Sequence, residues 1–121
     1  MDWYSTKHSR YEEGREKIAA LDLECVLNQL TAPVKTGGYE WSQKDARKAL
    51  KDYREFLTDT LKLEIDFHKE RARDARTRPS KAVGIVWHTH ILFTEKYFED
   101  CNTIFGRYLH HAPQVPTPVT G

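Results

Sequence analysis

The chain has few cysteines and no long apolar stretch. It contains two cysteines, Cys25 and Cys101, too few for a disulfide framework. No apolar run approaches the ~18 residues that a membrane-spanning helix needs. The first residues, Met1 to Lys7, lack the apolar core of a signal peptide. These absences predict a cytoplasmic protein with free thiols and no membrane partner.

The chain also has no excess of charge and no familiar catalytic motif. Its 19 basic and 18 acidic residues leave a formal net charge of +1, whereas bulk electrostatic binding of nucleic acid needs a basic excess. There is no glycine-rich phosphate loop, nucleophile-elbow serine or Cys-x-x-Cys pair. Kinase, Rossmann, hydrolase and zinc-ribbon functions therefore lack support, and the sequence leaves open whether the protein is an enzyme.

Helical spacing dominates what is present. The 121 residues are 39% hydrophobic and 31% charged, as expected for one globular domain. Residues 1–14 are predicted to be frayed or a short helix, and a further helix is predicted from about Arg15 to Leu30. A second follows Ser42, an N-cap candidate, and its apolar stripe has one-face spacing: Ala46, Ala49, Leu50, Tyr53, Phe56, Leu57 and Leu61. The alternating segment Leu61–Phe67 is interpreted as a continuation of that helix, since a lone strand would have no partner.

The third predicted helix, residues 82–109 after the N-cap Ser80, is the most hydrophobic, and Asn102 to Gly106 is where a bend or an end is expected. Its stripe runs unbroken from Val83 to Tyr108 and makes Trp87 and Tyr97 the expected core anchors. The predicted fold is therefore all-α, a small bundle of three to four helices with this C-terminal helix in the middle. The predicted domain covers residues 1–112, and residues 113–121 form a proline-rich tail.

Scarce residue types are concentrated in the same region. Four of the six histidines, together with Trp87 and Cys101, lie between residues 87 and 111. Residues 79–113 resemble the glycine-rich domain-containing-protein-like family through Trp87-His88-Thr89-His90, then Tyr97, Cys101, Phe105-Gly106 and His110-His111. The glycine-rich region of longer members is absent from this chain. The resemblance implies a shared motif but no particular reaction.

The histidines predict a divalent-metal site, with zinc or iron as the ion and His88, His90, His110 and His111 as ligands. In one continuous helix, His88 and His90 would point about 200° apart. Such a site therefore needs a second element, either the returning tail or an earlier helix that carries Asp66 or His68.

The alternative is that the histidines and tryptophans are structural. In this interpretation His90 is a buried polar residue bonded to a carbonyl or carboxylate, and Cys101 is a small core residue. The protein would then be a non-catalytic interaction module that docks on a protein partner through exposed aromatic side chains: Trp3, Tyr4, Tyr39 and Trp41. The proline-rich tail would serve as an attachment arm.

Overall fold

The computed structural model describes residues 3–66 and 78–110, with side chains from residue 6 onward. Within these ranges the chain is helical and contains no strand, so the all-α prediction is confirmed. The predicted three to four helices are too few, because the described residues form five: α1 (Trp3–Ala19), α2 (Glu24–Thr31), α3 (Gln43–Asp66), α4 (Lys81–Leu92) and α5 (Thr94–Phe105). The predicted tail, residues 113–121, lies outside the described residues.

The first predicted helix is two helices. It begins at Trp3 rather than near Arg15, and the chain leaves helical geometry between Ala19 and Glu24. Two side chains fix this break. The Asp22 carboxylate accepts the Glu24 backbone N–H at 3.1 Å, and the Arg54 guanidinium donates to the carbonyls of Ile18 and Leu21 at 2.5 and 2.9 Å. A cation at the C-terminal end of α1 satisfies carbonyls that have no partner in the helix.

Helix α3 follows the sequence pattern closely. Ser42 is its N-cap, with Oγ accepting the Asp45 N–H at 3.1 Å. All seven residues of the predicted stripe are buried. The helix continues through the alternating segment to Asp66, which confirms the interpretation as helix; Phe67 is outside the described residues.

The predicted helix over residues 82–109 is wrong as a single element. Ser80 caps its start as predicted, accepting the Val83 N–H at 3.2 Å. The helix then breaks at Phe93, which has φ −84° and ψ 71°, and restarts as α5. Gly106, with φ +70°, ends α5 in a left-handed conformation that suits glycine. Trp87 and Tyr97 are both buried, as predicted.

Helices α3 and α4 share the centre of the bundle. Helix α3 packs against α1, α2 and α4, and α4 packs against α2, α3 and α5, while α1 also meets α5. The central position predicted for one C-terminal helix therefore belongs to α4 together with α3. No helix among the described residues has the length and apolar character needed to cross a bilayer.

Candidate functional site

His90 lies in the core between α3 and α5. It is 1% exposed, and both of its ring nitrogens have protein partners: Nδ1 lies 2.7 Å from the Tyr53 hydroxyl and Nε2 lies 2.8 Å from Asp100 Oδ2. A carboxylate only accepts, so we assign the imidazole proton to Nε2, and Tyr53 donates to Nδ1. Burial lowers the pKa of His90 despite the opposing effect of Asp100. This neutral imidazole joins three helices.

Asp100 connects this buried group to the surface. Its Oδ2 also accepts from Lys96 Nζ at 3.0 Å, one helical turn earlier on α5. The Asp100 side chain is 16% exposed, and Lys96 supplies the full positive charge that a neutral His90 does not. The chain of bonds therefore runs from a buried phenol through His90 and Asp100 to a partly exposed ammonium.

A second set of bonds centres on Tyr97. The Trp87 indole N–H donates to the Tyr97 hydroxyl at 2.8 Å, and that hydroxyl donates to the Leu109 carbonyl at 2.5 Å. Arg107 pairs with Glu64 of α3. These contacts hold the segment after α5 against the bundle. Burial raises the pKa of the Tyr97 hydroxyl and of the Cys101 thiol, so neither group is activated for nucleophilic chemistry.

The predicted metal ligands differ in their exposure to solvent. His88 is exposed and His90 is buried. His110 is exposed, and its ring meets that of Tyr108 edge to face, with centroids 4.8 Å apart. His111 and His68 are outside the described residues, and Asp66 is exposed at the end of α3. Across residues 3–66 and 78–110, no three His, Cys, Asp or Glu side chains come together as a metal-binding group.

Sequence reasoning missed the partners of His90. The helical spacing places Tyr53 in a core stripe and gives Asp100 and Lys96 no role in a site. Asp100 follows His90 by ten residues, as Tyr97 follows Trp87. In a continuous helix that separation spans about 15 Å, so the pairs meet only because the chain reverses at Phe93. The repeated spacing of ten residues was the available signal, but no proline or glycine marks the reversal.

The loop between α2 and α3, residues 33–41, is tightly fixed. Gly37 and Glu40 have positive φ values of 91° and 53°, and the Glu40 carboxylate accepts the Val34 N–H at 2.8 Å. Backbone bonds join Glu40 to Ala32 and Trp41 to Leu30. Within this fixed loop, Val34 is 63% and Tyr39 is 36% exposed.

A cavity of about 330 Å³ lies beside this loop. Its lining is supplied by the loop and by the N-terminal parts of α3 and α4: Trp41, Asp45, Lys48, Ala49, Asp52 and Ala82. A second cavity, of about 390 Å³, lies between α1 and α3 and includes Arg54. That guanidinium already binds the end of α1, so the second cavity has an explanation within the fold.

Comparison with known proteins corrects the family expected from the motif. A family model described as UCP032817-like matches residues 16–118. The prediction of a glycine-rich domain-containing-protein-like family is therefore wrong: a short motif of Trp, His and Tyr indicated the wrong relatives. No curated protein and no solved structure matches the chain.

Proposed function

This chain belongs to the UCP032817-like family, and we propose that it is a non-catalytic protein-interaction module. In this proposal the Trp-His motif builds the core, and the 33–41 loop docks on a protein partner. The loop is the observation that carries the proposal. Its conformation contains two residues with positive φ and is held by several hydrogen bonds, and it leaves Val34 and Tyr39 exposed.

Positive φ at a residue other than glycine costs free energy, and such strain concentrates at functional sites. Glu40 meets this description at φ 53°. A preformed backbone also loses little conformational entropy when a partner binds. Tyr39 and Trp41 have ring centroids 5.9 Å apart and supply the amphipathic aromatic surface that protein interfaces favour. Both residues belong to the aromatic set predicted from the sequence, whereas the side chains of Trp3 and Tyr4 lie outside the described part.

The motif residues support the structural interpretation over a metal site. His90 would have to lose its hydrogen bond with Tyr53 or with Asp100 before it could bind zinc or iron, because both of its ring nitrogens are hydrogen-bonded. Releasing either bond would leave a buried polar group without its partner, at a cost of about 1–3 kcal/mol. Metal content is therefore measured alongside partner binding.

The test compares two double variants, each of which replaces two exposed apolar side chains with serine. Val34→Ser with Tyr39→Ser alters the loop, and Leu92→Ser with Phe98→Ser removes two other exposed apolar side chains, 63% and 58% exposed. Purified wild type and both variants are used to retain proteins from an extract of the native cells, after thermal melts show that all three are folded. We expect a stoichiometric partner that is lost with the loop variant alone.

A partner retained equally by the loop variant would contradict the proposal. So would elemental analysis that finds stoichiometric zinc or iron in wild type and loses it in His90→Gln. That second result would favour the metal site of His88, His90, His110 and His111.

A further inference from the structure

The cavity beside Trp41, which we call the Trp41 pocket, is lined by one aromatic residue, two alanines and three charged residues. Trp41 forms one wall, and its backbone is fixed by a 3.0 Å bond from its N–H to the Leu30 carbonyl. Ala49 and Ala82, which also line it, have small apolar side chains. The volume of about 330 Å³ lies at the lower end of the range for ligand sites, and suits one inserted side chain better than a large cofactor.

The charged residues that line the Trp41 pocket are mostly acidic. Its charged lining residues are Asp45, Asp52 and Lys48, which leave one net negative charge. Lys48 pairs with Asp52, with Nζ and Oδ2 3.0 Å apart, and this hydrogen bond raises the pKa of the ammonium. The Asp45 side chain makes no ion pair or hydrogen bond within the described part of the chain.

A cavity lined by an indole and by a carboxylate without a protein partner is suited to a cation. We propose that the Trp41 pocket receives an arginine side chain of the protein partner. A guanidinium can stack on the indole and donate to a carboxylate at the same time, which an ammonium does less well because it is not planar. The methylene stem of the arginine would lie against Ala49 and Ala82. This inference rests on the proposed function and names the partner's chemistry.

The ligand arm of the test uses two capped pentapeptides with the sequence Ala-Leu-X-Leu-Ala, where X is arginine or citrulline. Citrulline keeps the shape of arginine and removes its charge. Binding is followed by NMR through the indole N–H signal of Trp41. We expect the citrulline peptide to bind about fivefold more weakly or worse, as for one partly exposed cation–π contact with an ion pair. Free arginine, tested in parallel, should bind more weakly than the peptide.

The protein arm changes one carboxylate at a time. Asp45→Asn should weaken the arginine peptide about threefold to fivefold and leave the citrulline peptide unchanged. Asp59→Asn is the matched control, because Asp59 is an exposed carboxylate on the same helix and lines the other cavity. It should leave both peptides unaffected.

Equal binding of the two peptides, no shift of the Trp41 signal with either, or equal effects of the two variants would overturn the arginine proposal. The proposed function is tested separately, by the retention of a partner from extract. If the two peptides bind equally while a partner from the extract is retained by wild type and lost with the Val34 and Tyr39 variant, the docking loop stands and the arginine is rejected.

Discussion

Asp100 accepts hydrogen bonds from two groups, the charged ammonium of Lys96 and the N–H of the neutral His90 ring. Without it, Nε2–H would remain in the core with no acceptor. A buried donor that loses its partner costs more than a hydrogen bond contributes on average, because it is not rehydrated. The importance of this residue therefore comes from the burial of His90 rather than from its own position near the surface.

Replacement of Asp100 by alanine should lower the free energy of unfolding by about 1–3 kcal/mol. Glu99→Ala is the control, since Glu99 is exposed and surface substitutions usually change stability by about 0.5 kcal/mol or less. Urea unfolding measures both. Equal stability of the two variants would show that His90 finds another acceptor.

At the scale of elements, two helical glycines meet different surroundings. A Cβ on Gly14 of α1 would lie 2.3 Å from Leu61 Cδ2, and Leu61 is a buried residue of α3. A Cβ on Gly84 of α4 would meet nothing within 4 Å. Gly14 therefore leaves room for the Leu61 side chain of α3, whereas no neighbouring atom needs the space at Gly84.

The same substitution should have opposite effects at these positions. Gly84→Ala should stabilise the protein by about 0.5–1 kcal/mol, because alanine favours helix over glycine. Gly14→Ala gains the same propensity but must displace Leu61, and overpacking typically costs about 1–3 kcal/mol. Thermal melts of the two variants check the signs. A stabilised Gly14→Ala protein would mean that Leu61 moves aside freely.

At the scale of the whole molecule, acid should weaken the fold through His90. Burial lowers its pKa below the ordinary value of 6.5. Between the folded-state pKa and 6.5, His90 is therefore protonated in the unfolded chain and neutral in the folded one. The contribution of a neutral His90 to stability is complete above pH 6.5. It is lost as the pH falls through 6.5 towards the lower, folded-state pKa.

Urea unfolding between pH 7.5 and 5.0 measures this dependence, with a limit of about 1.4 kcal/mol per pH unit for one group. His90→Gln should flatten the slope in that range, while His88→Gln, which removes an exposed imidazole, should leave it as in wild type. Both variants keep every carboxylate, and His88→Gln controls for the loss of an imidazole, so the difference between their slopes is assigned to His90 together with its bond to Asp100. Identical slopes for wild type and His90→Gln would assign the acid sensitivity to other groups.

Local patterns were enough to predict the helical class, the caps and the buried faces. Ser42 and Ser80 cap their helices because each hydroxyl reaches an N–H three residues away, and the α3 stripe is buried because its spacing places it on one side. These features depend on near neighbours in the chain, so the sequence contains them directly.

The break at Phe93, the central pairing of α3 with α4 and the partners of His90 depended on the tertiary structure. Tyr53 is 37 residues from His90 along the chain, and Asp100 is ten residues from it. Neither separation brings two side chains into contact within a single helix. The turn between α4 and α5 is stabilised by the bonds it permits, Trp87 to Tyr97 and His90 to Asp100, rather than by a proline or glycine. A residue such as Phe93 leaves the helix because contacts elsewhere outweigh its local preference, and only the folded chain brings those contacts together.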